Sequence, residues 1–276
     1  MSSRLIVNAD DYGRDDDVSR GIRHSHLHGI VTSTTAMMNM PACEANLHLA
    51  EKETPRLGLG VHLVLTSGKP ILDKKDVPTL VDEKGAFLRP GSLRANLARI
   101  NHGEVMAEWR AQIEKYIRVV GHPPSHLDSH HHSSYYTDGL FRIMLILAQE
   151  YDCAIRLPGH YVKGKEIALD DELNEWITGI TMPALEQFHP RTPHRFVGTF
   201  YDENATKPVL LDILQFLGEE DTEIMCHPGY AGEQLIASSI YNLQREHEVE
   251  ILTDPEVKRL IQARQISLIS FTDLDR

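Results

Sequence analysis

Short apolar runs alternate with amphipathic segments along almost the whole chain, and this alternation limits the folds open to it. Residues 5–8, 57–65 and 223–226 have the length and composition of buried strands. The clearest helical segment, 104–120, has one apolar stripe formed by Val105, Trp109, Ile113, Ile117 and Val120. Strands that alternate with helices form a parallel sheet with crossover helices. Seven or eight such repeats predict an α/β fold in which the sheet closes into a (β/α) barrel like a TIM barrel.

The 276 residues are predicted to form a single domain, because no composition shift, repeat or low-complexity tract divides them. No G-x-G-x-x-G motif follows the first strand, which disfavours an open dinucleotide-binding sheet. Residues 66–90 and 158–188 are rich in glycine, proline and charge and are predicted as long loops. Such loops often border a binding site, although they can also be simple insertions.

The net charge of -12 argues against nucleic acid and anionic membranes as partners, because phosphate binding needs a basic surface. No apolar run approaches the roughly 20 residues of a membrane-spanning helix. The first apolar run begins at Leu5 without a charged and then apolar signal region before it. We therefore expect a cytoplasmic protein.

Polar side chains collect where predicted strands end. Asp10 and Asp11 follow the first strand, His62 lies in the third, the run from His126 to His132 ends the fourth, and His227 follows a late strand. In a parallel barrel the carboxyl ends of the strands meet on one face, and that face carries the active site. These residues are therefore predicted to lie close together.

Each cluster also has a simpler interpretation when it is taken alone. Asp10 and Asp11 are also typical of a solvated turn or a helix cap, and His62 and His227 of ordinary strand histidines. The cluster at 126–132 carries more weight. His126, Asp128, His130 and His132 recur with period two, so an extended backbone would place all four on one side of a strand.

Together the clusters supply an aspartate and two histidines, a common ligand set for a divalent metal with positions left for water and substrate. A bound metal lowers the pKa of its water and polarises a carbonyl. Hydrolysis also needs a base for the water and an acid for the leaving group. The polar residues outside the ligand set are predicted to fill these roles.

Five segments carry a resemblance to the YdjC-like carbohydrate deacetylases, a family that includes chitooligosaccharide deacetylases. They are LIVNADDYG (5–13), GIVTSTT (29–35), GVHLVLTSGKP (60–70), HLDSHHH (126–132) and MCHP (225–228). The resemblance implies a distorted barrel related to polysaccharide deacetylases. The activity that it implies is removal of the acetyl group from N-acetylated sugars of the chitooligosaccharide or diacetylchitobiose type.

The resemblance also implies roles for individual residues. Asp11, His62 and His130 would hold one divalent metal ion, Asp10 would be the general base and His227 the general acid. Magnesium is the ion usually named for the family, whereas two imidazole ligands suit zinc at least as well. Family members are commonly dimers, so a homo-oligomer is expected.

Three further residues are predicted to orient the ligands or contact the substrate. Asp128 and His132 belong to the histidine cluster, and Arg156, after the fifth strand, could hold Asp10 or the sugar or form a plain surface salt bridge. Aromatic residues are candidates for stacking on the sugar ring: Tyr12, Tyr135 and Tyr230. The family often has a further histidine where this chain has Ser134, and the loop 66–90 and the segment 158–188 match no known pattern, which leaves the sugar itself undetermined.

Two other functions fit part of the pattern. A metal-dependent phosphoesterase usually needs two metals and more carboxylates than one Asp-His-His set supplies. A non-catalytic sugar-binding or metal-storing protein would explain the ligands but would leave Asp10 and His227 without a role.

Overall fold

A computed structural model describes residues 3–157 and 171–275 and shows a parallel sheet at the centre of the chain. The strands are β1 (Arg4–Tyr12), β2 (Ser33–Ala36), β3 (Gly58–Leu63), β4 (His126–Ser129), β5 (Ala154–Ile155), β6 (Arg195–Val197), β7 (Thr222–Cys226) and β8 (Ser267–Leu268). Their order is β5-β4-β3-β2-β1-β7-β6, and β8 pairs with the start of β1. All these pairings are parallel.

Helices follow most of the strands, which gives the βα alternation expected from the sequence. They are α1 (Asp16–His28), α2 (Cys43–Glu53), α3 (Pro90–Ala95), α4 (His102–Val120), α5 (Asp138–Glu150), α6 (Asp171–Phe188), α7 (Lys207–Gln215), α8 (Glu233–Ser238), α9 (Leu243–Thr253) and α10 (Pro255–Ala263). In the described part of the chain, no helix has both the length and the apolar character that a membrane span requires.

The predicted distorted (β/α) barrel is confirmed, but its complete closure is not observed. Within residues 3–157 and 171–275 the two edge strands, β5 and β6, do not pair with each other. They are only 2 and 3 residues long, too short to form a continuous ladder. One backbone hydrogen bond, from Ile155 N–H to the carbonyl of Arg191 (2.9 Å), links β5 to the segment that leads into β6.

β1 is the central strand because it is apolar and pairs on both sides. Its residues from Leu5 to Tyr12 are buried, and it pairs with β2, β7 and β8. The strand runs to Tyr12 rather than ending at Asn8 as predicted, with an irregular register between Ala9 and Tyr12. This extension keeps Asp10 and Asp11 within the sheet.

α4 has the apolar stripe that the sequence predicts. The side chains of Val105, Trp109 and Ile113 are fully buried. Asn101 caps the N-terminus by accepting a hydrogen bond from Gly103 N–H (2.8 Å), and Gly121 ends the helix in the left-handed conformation at φ 89°.

The predicted loop at 158–188 is wrong over its second part. Residues 158–170 lie outside the described residues, but Asp171–Phe188 form α6. The sequence suggested a loop because Gly179 and Pro183 both disfavour helix. Burial compensates for these residues, since Ala184 is fully buried and Leu185 packs against the core.

The predicted loop at 66–90 contains no helix before Pro90 and a single antiparallel bridge, between Val81 and Phe87. Carboxylates of α4 hold it in place. Glu108 accepts hydrogen bonds from the N–H groups of Ile71 (2.9 Å) and Leu72 (3.0 Å). The loop is thereby fixed to a helix that packs on the barrel.

Candidate functional site

The carboxyl ends of β1, β3, β4 and β7 bring the candidate residues to one face of the barrel. β1 carries Asp10 and Asp11, β3 carries His62, β4 carries Asp128, and the turn after β4 carries His130. His227 directly follows β7. The sequence predicted this convergence from strand ends alone.

A local distortion of β1 points both adjacent carboxylates into the site. Neighbouring side chains of a regular strand face opposite sides. Asp11, however, has a left-handed backbone (φ 71°), and the register with β2 is irregular there. Asp10 and Asp11 are 3% and 2% exposed, so both are inside the protein.

Three donor atoms form a nearly equilateral triangle. Asp11 Oδ1 lies 3.1 Å from His130 Nδ1 and 3.4 Å from His62 Nε2, and the two ring nitrogens are 3.3 Å apart. Asp11 Oδ1 is buried and has no hydrogen-bond partner among the described residues. Zinc with four ligands at 2.0–2.1 Å separates them by about 3.3 Å, so the three donors fit such an ion with further positions open.

The donor set bears on which ion fits. Two imidazole nitrogens and one carboxylate oxygen suit zinc or another transition metal, whereas magnesium prefers an octahedral shell of oxygens. A second group of possible donors, Asp10, His62 and Asp128, lies next to the triangle. That group is already occupied by a cation, because Arg156 Nη1 lies 2.7 Å from Asp10 Oδ2 and 2.9 Å from Asp128 Oδ2.

Asp128 orients His62 for this role. The Nδ1 atom of His62 lies 2.6 Å from Asp128 Oδ1, and Thr35 Oγ1 donates to Asp128 Oδ2 (3.0 Å). Binding through Nδ1 leaves the Nε2 atom of His62 facing Asp11. Burial opposes protonation of His62, but the carboxylates of Asp128, Asp10 and Asp11 outweigh burial and raise its pKa to about 9. The site therefore stabilises positive charge.

Arg156 is fully buried and links three carboxylates, so it is not part of a surface salt bridge. It donates to both oxygens of Asp10 (2.6 and 2.7 Å) and to Glu223 Oε1 (2.7 Å), and it lies against Asp128. Burial alone would raise the pKa of Asp10, but the guanidinium of Arg156 outweighs burial and lowers it. Asp10 is therefore held as a carboxylate.

His227 lies next to Asp10, with its Nε2 atom 3.9 Å from Asp10 Oδ2. Burial lowers the pKa of His227 to about 4 despite the nearby carboxylate of Asp10. Its backbone N–H donates to Glu248 Oε2 (2.5 Å), and Glu248 also accepts a hydrogen bond from the hydroxyl of Tyr241. The position of His227 thus depends on α9, which carries Glu248.

The histidine cluster does not lie on one side of an extended strand, as its period-two spacing predicted. β4 ends at Ser129, and His131 and His132 have left-handed backbones (φ 55° and 54°). The ring of His132 is half-buried and lies edge-on to Phe196, 6.1 Å away. The predicted extended strand is wrong here because the chain turns at once, and His132 is not one of the three donors.

His126 and His131 are not among the three donors, although the ring of His131 packs against that of His130 at 3.8 Å. His126 Nε2 lies 3.1 Å from Asn8 Oδ1, and its ring stacks on Phe271 at 3.6 Å. His131 Nδ1 lies 2.9 Å from Thr66 Oγ1, so it ties the loop at 66–90 to the rim of the site.

Two of the three aromatic candidates are inaccessible to a sugar. Tyr12 and Tyr135 are fully buried, and Tyr230 packs under the guanidinium of Arg20 (4.4 Å). The aromatic ring beside His227 that solvent reaches is Tyr201, which is 42% exposed and was not predicted. It stacks on Tyr241 with the ring centroids 4.5 Å apart and lies 5.2 Å from the ring of His227.

Sequence reasoning missed the residues that α9 brings to the site. Arg245 Nη2 donates to Asp11 Oδ2 (2.5 Å), and Arg245 is only 3% exposed. Glu248 is fully buried next to His227. In α9 charged residues occupy the inward face. In the sequence this pattern resembles a solvent-exposed segment, so it did not mark these residues.

Relatives identified by sequence match this chain over nearly its full length. A model of the family described as YdjC-like protein matches residues 4–263. A carbohydrate deacetylase of Clostridium beijerinckii is 37% identical over 273 residues, which cover 98% of this chain and 100% of that protein. A chitooligosaccharide deacetylase of Yersinia enterocolitica is 34% identical over 278 residues, 99% of this chain and 100% of the relative.

Two solved structures are similar to this chain in fold. A crystal structure from Enterococcus faecalis V583, provisionally described as a cellobiose-phosphate cleavage protein, has 34% identity and a TM-score of 0.86, with 98% of each chain covered. The Xyl-CE4 domain of a xylanase from the Trinervitermes trinervoides hindgut metagenome has 7% identity and a TM-score of 0.50, with 98% of this chain and 88% of that chain covered, which shows the fold alone. With a family match over most of its length and relatives above 30% identity from end to end, the chain belongs to the YdjC-like protein family.

Proposed function

We propose that the protein is a metal-dependent carbohydrate N-deacetylase, a hydrolase that releases acetate from an N-acetylated sugar of the chitooligosaccharide type. The observation that carries the proposal is the triangle of Asp11, His62 and His130 next to an ionised Asp10. The names of the relatives, carbohydrate deacetylase and chitooligosaccharide deacetylase, supply the substrate class.

Asp11, His62 and His130 are the residues that would hold the divalent ion, zinc or magnesium. When bound, the ion would polarise the acetyl carbonyl and lower the pKa of a water. One cluster of this kind supports the deacetylase over a two-metal phosphoesterase. Within residues 3–157 and 171–275 the neighbouring donor group is neutralised by Arg156 rather than free for a second ion.

Asp10 is the proposed general base. Arg156 holds both of its oxygens, which fixes the direction of the carboxylate and keeps it ionised. Asp10 takes a proton from the water that adds to the acetyl carbon. The carbon–nitrogen bond then breaks, and acetate and the free amine of the sugar leave.

His227 is the proposed general acid, because its Nε2 atom lies next to Asp10 at 3.9 Å. Since burial keeps the ring neutral before the reaction, His227 must receive a proton during the cycle before it can donate one to the departing nitrogen. Asp10 is the nearest source of that proton. The pair would thus move one proton from water to amine.

The sugar ring is proposed to lie over Tyr201. This ring is exposed, is supported from behind by Tyr241 and lies beside His227. The loop at 66–90 borders the opposite rim through Thr66 and His131. Aromatic rings beside convergent polar groups are typical of ligand sites.

The test measures acetate and free amine released from N-acetylglucosamine and its short oligomers. The protein is assayed after chelation and again after addition of zinc or magnesium. Asp10→Asn is expected to lower kcat by roughly 10²–10⁴-fold, the usual contribution of a general base, while metal affinity is kept. The matched control, Asp138→Asn, changes an exposed aspartate on α5 and is expected to retain full turnover.

Each part of the proposal can fail separately. Turnover by chelated protein would refute the metal. Full turnover by Asp10→Asn would refute the base, and absence of acetate from every N-acetylated sugar would refute the substrate class.

A further inference from the structure

Arg245 contacts the donor triangle through Asp11, although no sequence motif indicated this residue. It is on α9, 234 residues from Asp11, yet its Nη2 atom donates to Asp11 Oδ2 at 2.5 Å. Its Nε atom donates to the carbonyl of Tyr241 at 3.2 Å, which fixes the plane of the guanidinium. The side chain is 4% exposed, so this ion pair is shielded from water.

The two oxygens of Asp11 have different environments as a result. Arg245 occupies Oδ2, whereas Oδ1 faces His62 and His130 and accepts no hydrogen bond among the described residues. A carboxylate near a cation can bind through one oxygen or through both. The guanidinium holds Oδ2, and Oδ1 is the oxygen that faces the two histidines.

We infer that Arg245 is a positioning residue that makes Asp11 a one-oxygen metal ligand. This inference rests on the proposed metal centre. Groups that hold a ligand from behind set its orientation, and their loss typically weakens metal binding by 10–100-fold. Arg245 does this for Asp11, as Asp128 does for His62.

The backbone of Asp11 gives a reason for the support. A left-handed backbone at a non-glycine residue is strained and persists only where its surroundings hold it. Asp11 has φ 71°, and its side chain is held by Arg245 from a distant helix. Without this contact the carboxylate is expected to rotate away from the direction of His62 and His130.

Arginine suits the task better than lysine. The guanidinium reaches Asp11 and the carbonyl of Tyr241 at once, through Nη2 and Nε. Lysine has a single flexible ammonium and cannot make both contacts in one fixed plane. Arg245→Lys keeps the charge but loses the plane, so it separates orientation from charge.

The experiment compares metal binding by the chelated wild-type protein, Arg245→Gln and Arg245→Lys. Zinc affinity is measured by isothermal titration, and the coordination of bound Co²⁺ by its visible absorption spectrum. We expect Arg245→Gln to bind zinc roughly 10–100-fold more weakly, with an altered Co²⁺ spectrum, and Arg245→Lys to be intermediate. The control, Arg195→Gln, removes an ion pair with Glu220 at the start of β6 and is expected to bind zinc like the wild type.

The outcomes separate the inference from the proposed function. Wild-type protein that binds neither zinc nor Co²⁺ refutes the metal centre itself. Wild-type affinity and an unchanged spectrum in Arg245→Gln, with only a lower melting temperature, would show that Arg245 supports the fold alone and would overturn the inference. If Arg245→Gln does not fold, the same two measurements on Arg245→Lys decide.

Discussion

The two sides of the site are built in different ways. The ligand side consists of Asp11, His62, Asp128 and His130, and all four come from β1, β3, β4 and the turn after β4. The clamp side consists of Tyr201, Tyr241, Arg245 and Glu248, which come from α9 and from segments outside the sheet. Both sides meet at Asp11 and His227.

The difference shows how this fold separates binding from positioning. Parallel strand ends place the donor atoms of the ligand side at spacings of 3.1–3.4 Å. The clamp side contributes hydrogen bonds that hold those groups, from Arg245 to Asp11 and from His227 N–H to Glu248. Substitution of one of the three donors on the ligand side should therefore remove the metal, whereas substitutions on the clamp side should weaken or misalign it.

The largest effect is expected for His62→Ala, on the ligand side. This variant loses one of three donors and should bind zinc more weakly than any clamp-side variant, beyond the roughly 100-fold limit for supporting residues. Deacetylase activity should disappear with the metal. Zinc titration and acetate release are the measurements. The control, His48→Ala, removes an exposed histidine on α2 and should bind zinc normally. If the two variants bind zinc with equal affinity, the distinction between the ligand side and the clamp side is refuted.

The ligand side could be predicted from the sequence because its signals are local. Asp10, Asp11 and His62 each interrupt or end an apolar run, and such residues are costly to bury without a partner. The parallel barrel then brings the strand ends together. The turn after Ser129 could not be predicted, because three consecutive histidines carry no rule for left-handed backbone at His131 and His132.

The clamp side could not be predicted, because its residues break the pattern by which helices are recognised. In α9 the buried positions include Arg245 and Glu248 next to Val249 and Leu252. Charged residues on the inward face remove the apolar stripe that marks a packed helix. For Arg156 the contact with Asp10 was one of the predicted alternatives, whereas its hydrogen bond to Glu223 was not predicted.

A second test concerns the buried carboxyl of the clamp side. Burial raises the pKa of Glu248 from 4.5 to about 7, although hydrogen bonds from Tyr241 and His227 N–H oppose the shift. Between these values the folded state binds more protons than the unfolded state, so the free energy of unfolding falls as pH rises from about 4.5 to about 7. Glu248→Gln should make this fall shallower in chelated protein, as measured by urea unfolding.

Glu250→Gln is the matched control for that test, because Glu250 is exposed on the same helix. The control should keep the wild-type pH dependence of unfolding. A wild-type slope in Glu248→Gln would show that Glu248 is ionised in the folded protein, and the clamp side would then carry a buried negative charge next to His227.

The smallest effect is expected for Tyr201, at the outer end of the clamp side. Tyr201→Ala removes an exposed ring that neither contacts Asp11 nor supports His62, so zinc affinity and kcat should change little. An aromatic contact of about 1 kcal/mol corresponds to a rise in KM of about fivefold. Tyr201→Phe keeps the ring and should keep the KM.

A fall in kcat without a change in KM would place Tyr201 with the groups that position His227, because the two rings are only 5.2 Å apart. The sugar would then have to lie on another part of the rim, and the loop held by Thr66 and His131 would be the next surface to test.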